Sequence, residues 1–175
     1  MSGVLVVAEH LQGRLRDVTR ELVTAAGEIG GPVSVAVIAA DPAALGAAAN
    51  LEGVDEVLAV RAGGDEFEND VYQHVVQSLV AERSFEVVLA GFTVSSMGYA
   101  PAVAARLDSG FASDVFSIAS TGGSLVVRRA FYGSKLHGEV ELEGSRPAVL
   151  LLRPTIWAAA DGPGSATVSE LSIEV

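Results

Sequence analysis

The sequence predicts an α/β protein: a three-layer, mainly parallel sheet with an antiparallel β extension in its C-terminal part. Three observations carry this. Short apolar runs alternate with amphipathic helical patterns from residue 4 to residue 107. Half of the 175 residues are hydrophobic and only 6% are aromatic, a mix of alanine, valine and leucine that suits helices packed closely on a valine-rich sheet. Beyond Leu107 the helical patterns stop, and β-like stretches follow one another between Gly/Ser turns.

The elements follow in order. VLVVA (4–8) is a continuous apolar run, as expected of a strand covered on both faces. In LQGRLRDVTRELVTAAGEIGG, Leu15, Val18, Leu22, Ala25, Ala26 and Ile29 recur at helical spacing, and Gly30–Gly31 stops the helix. VSVAVIAA (33–40) is a second buried strand. Asp41–Pro42 sets a cap residue before a proline at the first helical position, opening a short alanine-rich helix. DEVLAV (55–60) is a third strand. VYQHVVQSLVAER then places Val71, Val75, Val76, Leu79 and Val80 on one helical face, and FEVVLAG (85–91) is a fourth strand. The alternation implies parallel pairing with right-handed crossovers. SDVFSIAS, SLVVRRAFYG, GEVELEG and AVLLLRP make up a mostly antiparallel extension. GPGS (162–165) reads as a linker before a last strand-like stretch, TVSELSIEV, which divides the chain into 1–160 and 161–175.

Net charge is −11, from 22 acidic and 11 basic residues. That field repels nucleic acid and anionic membranes and attracts basic patches on proteins. Without cysteine there are no disulfides, zinc–thiolate sites or iron–sulfur clusters. The N-terminal MSGVLVVAEH lacks a charged region and a long apolar stretch, and no run approaches the ~20 residues of a membrane span. The expectation is a cytoplasmic protein.

The stretch GFTVSSMGYAPAVAARL (91–107) carries the chemical question. A strand feeding a small-residue turn and a helix N-terminus is a common phosphate cradle at the switch point of a doubly wound sheet. If the first and fourth strands are neighbours, His10 meets Gly91, Thr93, Ser95, Ser96 and Gly98 there, a candidate nucleotide crevice. The architectural reading uses the same residues: Ser96 as the N-cap, Pro101 in the first turn, and glycines for a tight corner. The run has neither a P-loop lysine nor GxGxxG spacing, so architecture comes first. His74 faces away from the valine stripe, and His137 sits in a turn or β-edge. Asp65, Glu66, Glu68 and Asp70 read as a solvated loop with favourable first-turn charges. No acid, base, nucleophile or metal set can be assembled, which argues against an enzyme acting alone.

Four stretches in order, VLVVAEH, the LAG/Thr/Ser/Gly turn leading to APAVAARLDSGFASDV, VVRRAFYGSKLHGEVEL and AVLLLRPTIW, resemble the N-terminal domain of the α subunit of electron transfer flavoproteins. The resemblance covers about residues 1–160. It implies a domain of the adenine-nucleotide-α-hydrolase-like type. The family's Ser-Asp-Val matches Ser113, Asp114 and Val115, and its closing Arg-Pro-Thr matches Arg153, Pro154 and Thr155. Its Arg-Pro-x-Tyr-Gly/Ala-Gly-Asn turn falls on Arg129 to Lys135, with the proline, second glycine and asparagine replaced. By resemblance, Asp114, Arg129, Tyr132, Gly133 and Arg153 form a partner interface.

Family α subunits continue into a second domain that binds most of the FAD, and that domain's motifs have no counterpart before Val175. The resemblance therefore implies a scaffold or docking subunit in a heterodimeric complex. FAD would be held mainly by another chain or domain, with a β-like subunit and a flavin-dependent dehydrogenase as partners. A stand-alone AMP- or ATP-binding module of the universal-stress-protein kind is the alternative, and a purely structural oligomerisation domain is the third reading.

Overall fold

A computed structural model of the chain describes residues 3–64, 66–121, 124–142 and 147–175. Asp65 and the last two residues of GEVELEG lie outside the described residues. The elements run β1 (Gly3–Val7), β2 (His10–Leu11), β3 (Arg14–Leu15), α1 (Asp17–Ile29), β4 (Val33–Ala39), α2 (Ala43–Ala49), β5 (Glu56–Arg61), α3 (Asn69–Glu82), β6 (Phe85–Gly91) and α4 (Val94–Arg106). Then come β7 (Phe111–Thr121), β8 (Ser124–Phe131), β9 (Leu136–Leu142), β10 (Ala148–Leu152) and β11 (Thr167–Ser172).

Nine strands build one sheet in the order β11-β5-β4-β1-β6-β10-β7-β8-β9, and β2–β3 form a small separate hairpin. From β11 to β7 every pairing is parallel; only β7–β8 and β8–β9 are antiparallel. The fold class expected from sequence is the one observed. Its two faces are covered by different helices. On one side Leu22, Val23, Ala25 and Ala26 of α1 and Leu45 and Ala49 of α2 pack on Val4, Val6, Val35, Val37, Leu89 and Leu150. On the other, Val75, Val76 and Leu79 of α3 and Tyr99, Ala100 and Val103 of α4 pack on Leu5, Val7, Leu58, Val88 and Leu151. Leu5, Leu58, Leu89, Leu150 and Leu151 are wholly buried, each contributing about 1.5–3 kcal/mol by leaving water.

Two stretches read as part of the β tail belong instead to the parallel core. AVLLL becomes β10, which inserts between β6 and β7, with Ala148 opposite Val87 and Leu152 opposite Gly91. All five of its residues are buried, the mark of a strand covered on both faces rather than of a half-solvated antiparallel one. TVSELS becomes β11, parallel to β5 along its whole length at the far edge of the sheet. Between them residues 153–166 cross the α1 face. Arg20 Nη1 donates to the Ala160 carbonyl, and Trp157 Nε1 donates to Glu28 Oε2 at 3.0 Å. The 162–165 segment is tied down by Gly164 N–H donating to the Asn50 carbonyl and by a bridge between Leu51 and Pro163.

Smaller differences have local causes. Leu15 lies in the β2–β3 hairpin because the helix starts only at Asp17. Asp41 does not cap α2: no side chain caps that helix, and the Asp41 carboxylate lies near Arg61 instead.

Candidate functional site

The chain order reverses between β1 and β6, which are hydrogen-bonded neighbours. The first and fourth of the long strands therefore do meet, and the loop after Ala8 faces the turn after β6, as the switch-point argument requires. The corner is made by backbone geometry. A Cβ at Gly91 would stand 2.6 Å from Val18 Cγ2, so the close approach that this glycine permits is to α1. A Cβ at Gly98 would collide with the Asn69 side-chain amide at the start of α3. That glycine lets the N-terminal ends of α3 and α4 come together.

Thr93, not Ser96, is the N-cap of α4. Its hydroxyl accepts from Ser96 N–H, and Ser96 Oγ accepts from Thr93 N–H at 3.2 Å, a reciprocal capping box. Ser96 Oγ also donates to the Gly91 carbonyl. Because the box starts the helix at Val94, Pro101 falls inside α4 rather than in its first turn. The Met97 carbonyl thereby loses its i+4 donor. Thr93→Ala is expected to cost about 1 kcal/mol, read as a lowered urea midpoint with an unchanged slope; an unchanged midpoint overturns the cap.

Side chains fill the crevice itself. Phe67, Tyr72 and Tyr99 form a triangle of tilted rings with centroids 4.8 Å (Phe67–Tyr72), 5.4 Å (Tyr72–Tyr99) and 6.2 Å (Phe67–Tyr99) apart. His10 closes one side, with Nε2 2.8 Å from the Ile38 carbonyl. A carbonyl only accepts, so Nε2 carries the proton. The Tyr72 hydroxyl donates to the same carbonyl at 3.3 Å. Burial, reinforced by the Glu9 carboxylate, pushes the Tyr72 phenol well above its ordinary range. Burial does the same to Tyr99, with Tyr72 and Glu9 adding to it. Both are neutral hydroxyls at any physiological pH.

Between Glu9, His10, Ser95, Ser96, Gly91 and these rings the cavity is about 20 Å³, room for about one water. The structure thus gathers His10, Gly91, Ser95 and Ser96 around one point, with Thr93 and Gly98 flanking it on the same turn and helix. A nucleotide there requires the ring cluster to move. Sequence reasoning missed Phe67, Tyr72 and Tyr99. The signal was a tyrosine in each of two helical faces otherwise made mostly of Val, Leu and Ala.

A second corner lies where β7, β8 and β10 end or begin. Arg153 grips Asp114 with two parallel bonds, Nε to Oδ1 at 2.7 Å and Nη2 to Oδ2 at 2.9 Å, and Nη2 also donates to Ser134 Oγ at 3.0 Å. Hydrogen bonding to Asp114 raises the arginine's pKa further, so it is a fixed cation. Arg129 Nη2 donates to Ser113 Oγ, and its guanidinium lies over the Phe131 ring. Tyr132 and Gly133 form the tip of the β8–β9 turn, with Tyr132 79% exposed. Asp114 and Arg153 are therefore partners, Arg129 holds the neighbouring residue, and Tyr132 and Gly133 stand beside them on the turn.

His74 is exposed on α3, and His137 lies on β9 with its ring against Phe116. Glu68 accepts from Gly64 N–H, and Asp70 sits in the first turn of α3. Among the described residues no group of three His, Asp or Glu is arranged to hold a metal, and no helix is long and apolar enough to cross a membrane.

These features define a three-layer α/β domain whose switch-point crevice is closed by its own aromatic side chains. The electron transfer flavoprotein domain matches residues 4–175, and the chain belongs to that family. It is similar to electron transfer flavoprotein subunit alpha of Methylophilus methylotrophus, 37% identical over 175 residues, covering 98% of this chain and 54% of that one. The same subunit of Pseudomonas aeruginosa is 31% identical over 177 residues, with 97% and 54% covered. A probable mitochondrial alpha subunit of Caenorhabditis elegans is 30% identical over 173 residues, with 96% and 50% covered. The chain spans about half the length of the curated relatives it matches.

Proposed function

We propose that this chain is the scaffolding and docking part of an electron transfer flavoprotein of the α-subunit type. It holds a β-like subunit or a flavin-bearing domain in register, and the FAD, bound mainly outside these residues, supplies the electron chemistry. The observation that carries the reading is the family match, which runs from residue 4 to residue 175. The filled crevice favours docking over ligand binding, because pockets for cofactors of this size are ~300–1,000 Å³. Two larger depressions among the described residues do not fit FAD either. One of about 460 Å³ at the opposite end of the sheet is lined by Asp55 and Glu56, with Arg83 committed to Glu56. Another of about 370 Å³ is lined by Asp17 and Glu21. Carboxylates repel a diphosphate, so no step is assigned to this chain through the flavin. Its own residues position and dock: Asp114, Arg129, Tyr132, Gly133 and Arg153 are the contact set, and β11, within 161–175, closes the far edge of the sheet beside β5.

Co-expression with a β-like subunit and a flavin-domain chain is expected to give a stoichiometric yellow complex, while the isolated chain purifies colourless. No complex with any such partner, or FAD bound by the chain alone, overturns the reading. The Tyr99 hydroxyl, in the second turn of α4, favours the second reading, adenine-nucleotide binding, since it faces the crevice with no hydrogen-bond partner among the described residues. Calorimetry with AMP, ADP and ATP at millimolar concentration is expected to be flat; a saturable heat favours the nucleotide module.

A further inference from the structure

Four of the six non-glycine residues with left-handed backbone gather about Arg153: Asp114 (φ +58°), Tyr132 (φ +52°), Ser134 (φ +66°) and Thr155 (φ +67°). Asp114 and Ser134 bond the guanidinium, Tyr132 sits two residues before Ser134, and Thr155 sits two residues beyond Arg153. Such backbone is costly for residues with a Cβ, most of all for a β-branched threonine, and persists where the surroundings enforce it. The surroundings here do so. Thr155 N–H is held by the buried Glu21 carboxylate at 2.6 Å, and Asp114 lies in the irregular stretch of the β7–β10 pairing between Ala112 and Val115, with its carboxylate on Arg153.

The result is a cation aimed and only partly used. Arg153 spends Nε and Nη2 on Asp114 and Ser134, and Nη1 has no partner among the described residues. Its side chain is 29% exposed. Asp114 balances its charge, but Arg129 and Lys135 have no carboxylate partner among the described residues, and the Arg129 Nε is buried without any hydrogen bond. Even with Glu21 at Thr155 counted beside Asp114, Arg153, Arg129 and Lys135 leave this corner locally positive on a chain of net charge −11. Exposed apolar side chains lie on the same two segments: Tyr132, Leu136 and Ile156.

We propose that this corner docks an acidic segment of the partner subunit, one carboxylate accepting from Arg153 Nη1 while an adjoining apolar side chain packs on Tyr132. The surrounding acidic surface repels the same segment elsewhere, which fixes the register of docking. The inference rests on the docking reading above for the identity of its partner, and it adds the chemistry of the contact.

The test uses the full chain with the flavin-bearing partner of the co-expressed complex. The pair Arg153→Gln with Asp114→Asn removes the cation without orphaning a carboxylate. It is expected to weaken the complex by at least about tenfold, and Tyr132→Ser by about tenfold. Lys135→Glu, on an exposed turn position that folding tolerates, is expected to weaken it and to flatten its salt dependence. Wild-type affinity in all three overturns the proposal.

A second arm needs no partner. The isolated chain is titrated by NMR with acetyl-Asp-Glu-Leu-Asp-amide and with its lysine counterpart. Shifts confined to residues 129–136 and 153–156, from the acidic peptide only, support the proposal. Shifts elsewhere, equal shifts from both peptides, or none at all overturn it. Failure to form any complex, with the peptide still binding at this corner, sinks the docking reading alone.

Discussion

Replacing Tyr99 by alanine is expected to lower folding stability by about 3–5 kcal/mol, whereas Tyr99→Phe is expected to change it by less than about 1 kcal/mol. The contrast follows from what each part of the side chain touches. The ring is 3% exposed and packs on Tyr72 and Phe67 over the sheet, so its loss leaves a ring-sized void at the centre of the crevice. The hydroxyl has no hydrogen-bond partner among the described residues, so removing it breaks no protein contact. Urea denaturation followed by fluorescence of Trp157, the single tryptophan, reads both. If Phe costs as much as Ala, the hydroxyl is holding a ligand and the crevice is a working site rather than a closed one.

The second large effect is expected at Gly164. A Cβ there would overlap the Leu51 carbonyl group and crowd the Asn50 side chain. Both neighbours are held: the Leu51 carbonyl accepts from Val54 N–H, Asn50 Nδ2 donates to the Ala166 carbonyl, and Asn50 Oδ1 accepts from Ala166 N–H. Backbone against backbone cannot be relieved by a rotamer change, so Gly164→Ala is expected to cost about 3 kcal/mol. It should also open β11 selectively, which hydrogen exchange at Val168 to Leu171 would report. Protection at those amides equal to wild type would show that the 162–165 segment is the slack linker its composition suggests.

Much of the architecture was readable because the parallel strands carry unbroken apolar runs and the helices carry clean stripes; β6 and β11 begin where their patterns do. The errors cluster where a short apolar string has two homes. AVLLL has no alternation to say which partner it takes, and its parallel seat depends on a gap between β6 and β7 that pairing over long sequence distance creates. Ser96 and Thr93 are both good cap residues, and only the reciprocal bond between them decides which is the cap. At the candidate site His10, Gly91, Ser95 and Ser96 of the residues read from the sequence line one crevice, while Thr93 and Gly98 lie beside it. The plug was invisible, because Phe67 and Tyr72 are far from Tyr99 along the chain and only the α3–α4 contact brings them together. The Asp114–Arg153 pair was equally beyond spacing arguments, since 39 residues separate its members.

The central position of β10 has a consequence for biogenesis. A ribosome must release the chain through Leu152 before Ala148–Leu152 can fill the seam between β6 and β7. Until then two hydrophobic strand margins lie side by side without their common neighbour, a template for mispairing between nascent molecules. Fragments ending upstream of Leu152 should therefore precipitate rather than behave as smaller folded units, and chaperone demand should fall once Leu152 has emerged.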